Sequence, residues 1–287
     1  MNDPARVARL LLEAAGPLMR ASDGRAIMIH VDALPEEIES VPRRTILIGR
    51  DDADFERIER YSESAMGSVH VPAVTLNRLG QVKLGVIIAL SSRLIDLGDT
   101  VVFLTGPYRA LSDSLIVLTI GAEYDLFDST DQPSIDEHIK RAVFHRCLAI
   151  ALDLGHHGRE GRKVGSLIVV GDAKHVLERS EQMILNPFKG YEDRERNILD
   201  DMMTETVREY STLDGAFIVR GNGVIEAAGR RLKGGISEGL PSGLGSRHAA
   251  AAGITASTKS IAITISESDG TVRVWRAGRM VAAFEPS

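Results

Sequence analysis

Apolar positions in the first part of the chain alternate between a helical and a strand-like spacing. Residues 7–15 and 76–94 carry apolar side chains at intervals of three and four, which predicts amphipathic helices. We expect the first of these helices to end at Gly16-Pro17, because proline interrupts a helix interior. Short apolar runs predict strands at residues 26–31, 45–48, 68–71, 100–104 and 115–120. Strands that alternate with helices predict an α/β layered domain with parallel strand pairing.

A polar stretch at residues 121–133 interrupts this periodicity and carries a proline, which is typical of a connecting segment. Ser134 and Glu137 follow at the spacing of a capping box, in which each side chain binds a free backbone N–H at a helix start. So strong a start signal indicates that a new domain begins here. The sequence therefore predicts two domains, residues 1–128 and residues 129–287.

The second part of the chain has the pattern of a mixed sheet with helices. We expect the helix that follows the capping box to stop at Gly155, and apolar positions within residues 193–210 predict one long helix. Asn222-Gly223 and residues 268–270 each separate two apolar runs, and such turns indicate β-hairpins. The other expected elements are strands at 164–170, 216–219, 224–228, 261–265 and 272–275 and a short helix at 173–179. The predicted fold is an N-terminal α/β layered domain followed by a mixed-sheet α/β domain.

Composition and charge narrow the classes of function. The 287 residues include 40 acidic and 34 basic side chains, and this excess of acid argues against a nucleic-acid partner, which needs a basic surface. Cys147 is the single cysteine, which excludes an internal disulfide and a cysteine-based zinc cage. No apolar run reaches the roughly 18 residues of a membrane helix, and the N-terminus lacks the pattern of a signal peptide. We therefore expect a cytoplasmic protein that binds neither nucleic acid nor a membrane.

Three short segments carry residues suited to nucleotide chemistry. They are Asp214-Gly215-Ala216, Gly245-Ser246-Arg247-His248 and Ser266-Glu267. The first places a carboxylate beside a glycine that lets a ligand approach the backbone. The second places a hydroxyl and a guanidinium at the start of a helix, where free N–H groups bind anions. Taken singly, the three segments also fit a turn, a helix start with a surface arginine, and a turn with a solvated glutamate.

Taken together, the segments resemble the diadenylate cyclase family, whose members make cyclic di-AMP from two ATP. The resemblance covers residues 161–282 and rests on Asp-Gly-Ala, on the motif Gly-Thr/Ala-Arg-His-Arg-Ala-Ala, and on a Ser-Glu pair after the next strand. Ala249 takes the place of the second arginine of that longer motif, which removes one cation from the phosphate region. Residues 1 to about 126 resemble the pyruvate-kinase C-terminal-like domain of the archaeal-type members, on the segment 100–107.

The resemblance implies that the 3′-hydroxyl of each ATP attacks the α-phosphate of the other and that pyrophosphate leaves. Two domains must then face each other, which implies a homo-oligomer with paired sites. It also implies a Mg²⁺ or Mn²⁺ ion at Asp214 that screens the phosphates. The implied catalytic residues are Asp214, Arg247 and His248, and the implied ATP contacts are Gly215, Ala216, Leu232, Gly245, Ser246, Arg247 and Glu267. For His248, binding of phosphate or metal and a purely structural role in the loop both stay open.

A second hypothesis is a catalytically silent protein that senses ATP or cyclic di-AMP. In this interpretation Ala249 marks lost activity, and turnover with ATP and manganese separates the sensor from the cyclase. A dinucleotide-binding enzyme is disfavoured, because no Gly-x-Gly-x-x-Gly segment joins a predicted strand to a helix.

Overall fold

The computed structural model describes residues 3–121, 138–233 and 245–285. The chain divides into two compact units, residues 1–132 and 133–286. The predicted boundary between residues 128 and 129 and the capping box of Ser134 and Glu137 lie outside the described residues. Within the described ranges, none of the helices combines the length and the apolar character that crossing a membrane requires.

The first unit is a five-stranded sheet with helices packed on it. Its strands are β1 (Ala26–His30), β2 (Thr45–Gly49), β3 (Gly67–His70), β4 (Thr100–Thr105) and β5 (Ser114–Thr119), and its helices are α1 (Pro4–Ala21), α2 (Asp52–Glu59) and α3 (Arg78–Ser91). The strand order is β3-β2-β1-β4-β5, in which β5 alone pairs antiparallel. This arrangement confirms the predicted α/β layers with parallel pairing.

The predicted end of the first helix at Gly16-Pro17 is wrong, because α1 continues through both residues. An internal proline removes one backbone hydrogen bond and costs about 3 kcal/mol. The helix nevertheless persists because it buries Leu12, Ala15 and Met19 in the same core as the strands β1, β2 and β4. Packing of this apolar stripe outweighs the local cost of the proline.

The second unit is a seven-stranded mixed sheet with helices. Its strands are β6 (Ser166–Val170), β7 (Ser180–Gln182), β8 (Ala216–Val219), β9 (Ile225–Leu232), β10 (Ile261–Ile265), β11 (Val272–Arg276) and β12 (Arg279–Phe284), and its helices are α4 (Arg141–His157), α5 (Ala173–Glu178), α6 (Met202–Tyr210) and α7 (Ser246–Ser257). The strand order is β12-β11-β10-β6-β8-β9-β7. β6 and β8 run parallel, and the other pairs are antiparallel. Both predicted hairpins, β8–β9 and β10–β11, are confirmed.

The predicted helix over residues 193–210 is wrong in its first half. The backbone N–H of Ile198 donates to the carbonyl of Gly223 at 2.8 Å, so this stretch pairs with the β8–β9 hairpin. Backbone groups that pair with a hairpin cannot form the bonds of a helix, and α6 therefore begins only at Met202. Met202, one of the apolar residues behind the predicted helix over 193–210, is 77% exposed.

Helix α4 passes the predicted stop at Gly155 and ends at His157, where Gly158 follows with φ +64°. A Cβ at position 155 would collide with the carbonyl oxygen of Gly270 and would lie 2.9 Å from Cγ2 of Val272. Gly155 therefore permits a close approach of α4 to the β10–β11 hairpin and does not end the helix.

Buried apolar residues hold α7 against the sheet and fix the position of its N-terminus. Ala251, Ala252 and Ile254 are buried in one core with residues of β6, β8, β10 and β11. The contacts of Arg247 with Asp214 and Glu267 show that α7 starts beside the edge of the sheet where β8 begins and β10 ends.

Candidate active site

Arg247 joins the three segments that the sequence singles out. Its Nη2 lies 3.4 Å from Oδ1 of Asp214, and its Nη1 lies 3.0 Å from Oε2 of Glu267. The side chain of Arg247 is 32% exposed, whereas those of Asp214 and Glu267 are 77% and 67% exposed. The carboxylates are thus open to solvent and can bind a further ligand beside the guanidinium.

Gly165, directly before β6, provides the space that Arg247 occupies. A Cβ at this position would lie 3.0 Å from Cζ of Arg247 and 2.9 Å from Cβ of Glu267. Any larger residue would displace the guanidinium or the segment that carries Glu267. Gly165 is not among the site residues that the sequence predicts, and its one signal in the sequence is a glycine immediately before an apolar strand.

An apolar cavity of about 250 Å³ lies on one side of Arg247. Its lining combines apolar and polar side chains: Leu167, Met183, Asp214, Gly215, Ala216, Arg230, Arg231, Leu232, Ser246, Arg247 and Ala250. Gly215 has φ +101°, and a Cβ there would approach the backbone N of Arg230 to 2.7 Å, so only glycine fits. Four residues expected at the site, Asp214, Gly215, Ala216 and Leu232, therefore lie around one cavity.

A polar cavity of about 330 Å³ lies at the N-terminus of α7. It is lined by Gly245, Ser246, Arg247, His248, Ile265, Ser266, Glu267, Ser268, Asp269 and Arg273. Gly245 is the N-cap residue, and no side chain caps the helix. Uncapped N–H groups, hydroxyls and guanidinium groups are the donors that bind a phosphate. Ser246 and Arg247 line both cavities and therefore lie between them.

His248 is buried and packs on the ring of Trp275, with 5.9 Å between ring centroids. Nη1 of Arg273 donates to its Nε2 at 3.3 Å. Burial, followed by the positive charge of Arg273, lowers the pKa of His248 to about 4. The imidazole is therefore neutral at pH 7, and its proton is on Nδ1 because Nε2 accepts a hydrogen bond.

The site offers carboxylate oxygens that suit a cation. Asp214 and Glu267 offer oxygens of the kind that Mg²⁺ and Mn²⁺ prefer. Within the described ranges no group of three or more His, Cys, Asp or Glu side chains could hold a metal by itself. The residues fit a divalent ion whose remaining ligands are phosphate oxygens and water.

Comparison with known proteins matches residues 153–280 to the family described as DisA bacterial checkpoint controller nucleotide-binding. A diadenylate cyclase of Methanocaldococcus jannaschii is 31% identical over 242 residues, which cover 81% of this chain and 75% of the relative. A diadenylate cyclase of Haloferax volcanii is 30% identical over 283 residues, which cover 96% of this chain and 98% of the relative.

Two solved structures are similar over about half of the chain. A hypothetical membrane spanning protein from Bacillus cereus has a TM-score of 0.39 at 20% identity and covers 52% of this chain and 65% of its own. A double mutant of DacA from Staphylococcus aureus has a TM-score of 0.36 at 23% identity and covers 50% of this chain and 87% of its own. At such low TM-scores these structures add nothing to the fold described above. On the two relatives that match most of its length, the chain belongs to the diadenylate cyclase family of nucleotidyltransferases.

Proposed function

We propose that this chain condenses two molecules of ATP into cyclic di-AMP and releases two molecules of pyrophosphate. In each half of the reaction a bond forms between a 3′-oxygen and an α-phosphorus, and the bond from that phosphorus to the pyrophosphate oxygen breaks. The proton of the 3′-hydroxyl passes to a base or to water. The observation that supports this function most is the position of Arg247 between an apolar and a polar cavity.

The two cavities suit the two ends of ATP. The apolar cavity, with Leu232 and Ala216 in its wall, suits an adenine base, which has large apolar faces. The polar cavity at the start of α7 suits the phosphates, because Ser246 and the other first residues of this helix, whose N-terminus has no side-chain cap, line it. Arg247, which lines both, is then next to the α-phosphate, where charge develops during the transfer.

We assign Asp214 to the part of the site where the 3′-hydroxyl of the nucleotide reacts. Its exposed carboxylate lies two residues before β8, lines the apolar cavity and contacts Arg247, which lines both cavities. There it can hold a Mg²⁺ or Mn²⁺ ion or accept the proton of the 3′-hydroxyl. The ion, when bound, screens the phosphate charge and stabilises the leaving pyrophosphate. Glu267, paired with the same guanidinium, keeps Arg247 oriented.

One unit holds one site of this kind, and the reaction joins two nucleotides. We therefore propose that two copies of the chain face each other and form a homo-oligomer with paired sites. The similarity of the N-terminal unit to the pyruvate-kinase C-terminal domain stays a prediction.

The silent sensor is the second candidate function, because Ala249 takes the place of an arginine. Incubation of the purified chain with ATP and Mn²⁺ or Mg²⁺, followed by chromatography and mass detection, separates the two. Cyclic di-AMP supports the cyclase. Binding of ATP or of cyclic di-AMP without product supports the sensor, and no binding of either nucleotide contradicts both.

The substitution Asp214→Asn tests the mechanism directly. We expect a fall of about 100-fold or more in cyclisation, because the neutral amide holds a cation more weakly and cannot accept the proton. Circular dichroism should stay unchanged, since the side chain is exposed. Asp201, an exposed carboxylate paired with Arg146 outside the site, supplies the matched control Asp201→Asn. Wild-type turnover of Asp214→Asn would remove this residue from the mechanism.

A further inference from the structure

The polar cavity contains two guanidinium groups whose charges are compensated differently. Arg247 pairs with the carboxylates of Asp214 and Glu267. Arg273 also lines the cavity, yet among the described residues no carboxylate comes within 4 Å of its guanidinium nitrogens. A half-buried arginine that has no carboxylate partner keeps its charge available for an anion.

The side chain of Arg273 is held by neighbours that leave this charge intact. Arg273 and Trp275 lie on the same face of β11, because side chains alternate along a strand. The Trp275 ring packs on His248, and Nε2 of His248 accepts a hydrogen bond from Arg273 at 3.3 Å. Neutral His248 fixes the direction of the guanidinium and adds no opposing charge. An arginine has five N–H donors, so most of them stay free for a ligand.

Asp269 is the acidic group that competes most directly for Arg273. Its carboxylate lines the same cavity, and its pKa is lowered most by a hydrogen bond with the Ser266 side chain and to a smaller extent by the charge of Arg273. However, Oδ1 of Asp269 accepts the N–H of Thr271 at 2.9 Å, within the β10–β11 turn. This bond ties Asp269 to its own turn, more than 4 Å from the guanidinium of Arg273.

We propose that Arg273 is a second phosphate-binding residue of the ATP site and that His248 positions it. The assignment rests on the proposed function for the identity of the ligand, a nucleoside triphosphate. The charge of Arg273 reaches the start of α7 from the neighbouring strand β11. Ala249, one turn into α7, offers no cation there. The chain thus has two cations at its polar cavity, one on the helix and one on the neighbouring strand.

Binding measurements test this assignment separately from turnover. The probes are inorganic triphosphate, an α,β-methylene analogue of ATP that cannot react, and adenosine, each with Mg²⁺. For Arg273→Ala we expect triphosphate and the analogue to bind about 10- to 100-fold more weakly, because a charged hydrogen-bond donor is lost. Adenosine should bind as in the wild type, and Arg273→Lys should lie between. Arg279→Ala, at an exposed arginine on β12, is the matched control.

A double substitution tests the positioning role of His248. His248→Phe should weaken binding of triphosphate in the wild-type background and have no further effect in Arg273→Ala. His248→Gln, which retains an acceptor, should restore much of the affinity. Ala249→Arg added to Arg273→Ala should regain part of the triphosphate affinity, because it returns a cation to the start of α7.

The outcomes separate this proposal from the proposed function. If the wild type makes cyclic di-AMP and Arg273→Ala binds the analogue with unchanged affinity, the role of Arg273 is overturned and the function stands. If the wild type makes no product but Arg273→Ala loses affinity for triphosphate, the cyclase is overturned and the phosphate site stands. Equal weakening of adenosine and triphosphate would show general damage to the site and would also overturn the assignment.

Discussion

Each unit of the chain holds an arginine that contacts polar partners from other parts of the sequence, and the two arginines differ in burial. Arg50 follows β2 with its side chain only 3% exposed, and it pairs with Asp32. Its Nη2 donates to Oε1 of Gln81 at 2.6 Å, and its guanidinium lies 4.9 Å from the ring centroid of Tyr108. Arg247, in contrast, contacts two carboxylates that are open to solvent, beside two cavities.

The difference indicates that burial decides whether the ion pairs of an arginine stabilise the fold or are available to a ligand. The partners of Arg50 enclose it, and burial together with the charge of Arg50 lowers the pKa of His30 well below its usual value. A charge enclosed in this way stabilises its own fold, because removing one partner leaves the other unpaired in a medium of low dielectric. A half-exposed charge between exposed carboxylates adds little to stability but can exchange its partners for a ligand.

Loss of Arg50 is the strongest test of the structural half of this comparison. Arg50→Met should destabilise the first unit by about 3–5 kcal/mol, because Asp32 would stay buried without its cation. Hydrogen exchange of the full chain, followed in peptides from β1, β2 and β4, measures the loss of protection. Arg43→Met, at an exposed arginine near β2, is the control and should change protection little. Unchanged protection in Arg50→Met would show that the cluster is not structural.

Loss of Arg247 tests the other half of this comparison, the role of an exposed arginine in function. We expect Arg247→Met to lower cyclisation about 100- to 1,000-fold, because a donor aimed at developing phosphate charge is removed. The free energy of unfolding should change by less than about 1 kcal/mol, since the ion pairs are exposed. Arg159 also pairs with two exposed carboxylates, Glu205 and Glu209, so Arg159→Met is a matched control with the same loss of charge. A large loss of stability in Arg247→Met, or equal activity in both variants, would contradict the comparison.

The sequence predicts the parts of this molecule that local patterns determine. The strand β10 matches its predicted bounds, and Asn222-Gly223 correctly indicates the β8–β9 hairpin. The three motifs also indicate one common site, and Asp214 and Glu267 both contact Arg247 in the structure. These predictions succeed because each depends on a few neighbouring residues and on one turn or helix start.

The parts that the sequence does not predict depend on contacts between distant segments. Residues 193–201 have a helical pattern, but their backbone pairs with a hairpin further along the chain. Gly165 and Arg273 belong to no motif, and their relation to Arg247 and His248 arises from strand register and from the packing of α7. Only the folded sheet shows that a glycine and an arginine so far apart in sequence adjoin one site.

Two glycines allow the same comparison between site and fold for close packing instead of charge. Gly165→Ala should lower cyclisation about 10-fold, because the new methyl group displaces Arg247 from its place between the two carboxylates. In the Arg247→Met background the same substitution should have little further effect on turnover. Gly155→Ala places its methyl group against a backbone carbonyl and should instead lower the free energy of unfolding. If Gly165→Ala loses stability and keeps its turnover, Gly165 serves the fold and not the site.

The smallest expected effect is a pH dependence of stability that comes from His248. Its pKa is about 4 in the folded chain, where Arg273, Arg247 and Asp269 are the charged groups that act on it, and about 6.5 when unfolded. Between these values the unfolded chain binds more protons, so the stability of the second unit should fall as pH decreases from about 6.5 to about 4. The slope should approach about 1.4 kcal/mol per pH unit. Asp269, whose pKa is lowered to about 2, loses its contribution to stability only below about pH 4, outside the range in which His248 acts.

The single tryptophan, Trp275, makes this slope measurable, because it is buried beside His248 in the second unit. Urea unfolding followed by its fluorescence, at several pH values from 7 to 4.5, gives the free energy of unfolding of that unit. His248→Gln should remove the slope, whereas His157→Gln, at an exposed histidine paired with Asp153, should retain it. A slope that persists in His248→Gln would assign the proton uptake to another group. Because neutral His248 is the acceptor for Arg273, its protonation around pH 4 should also weaken the hold on Arg273 and the binding of triphosphate, so both readouts report on one imidazole.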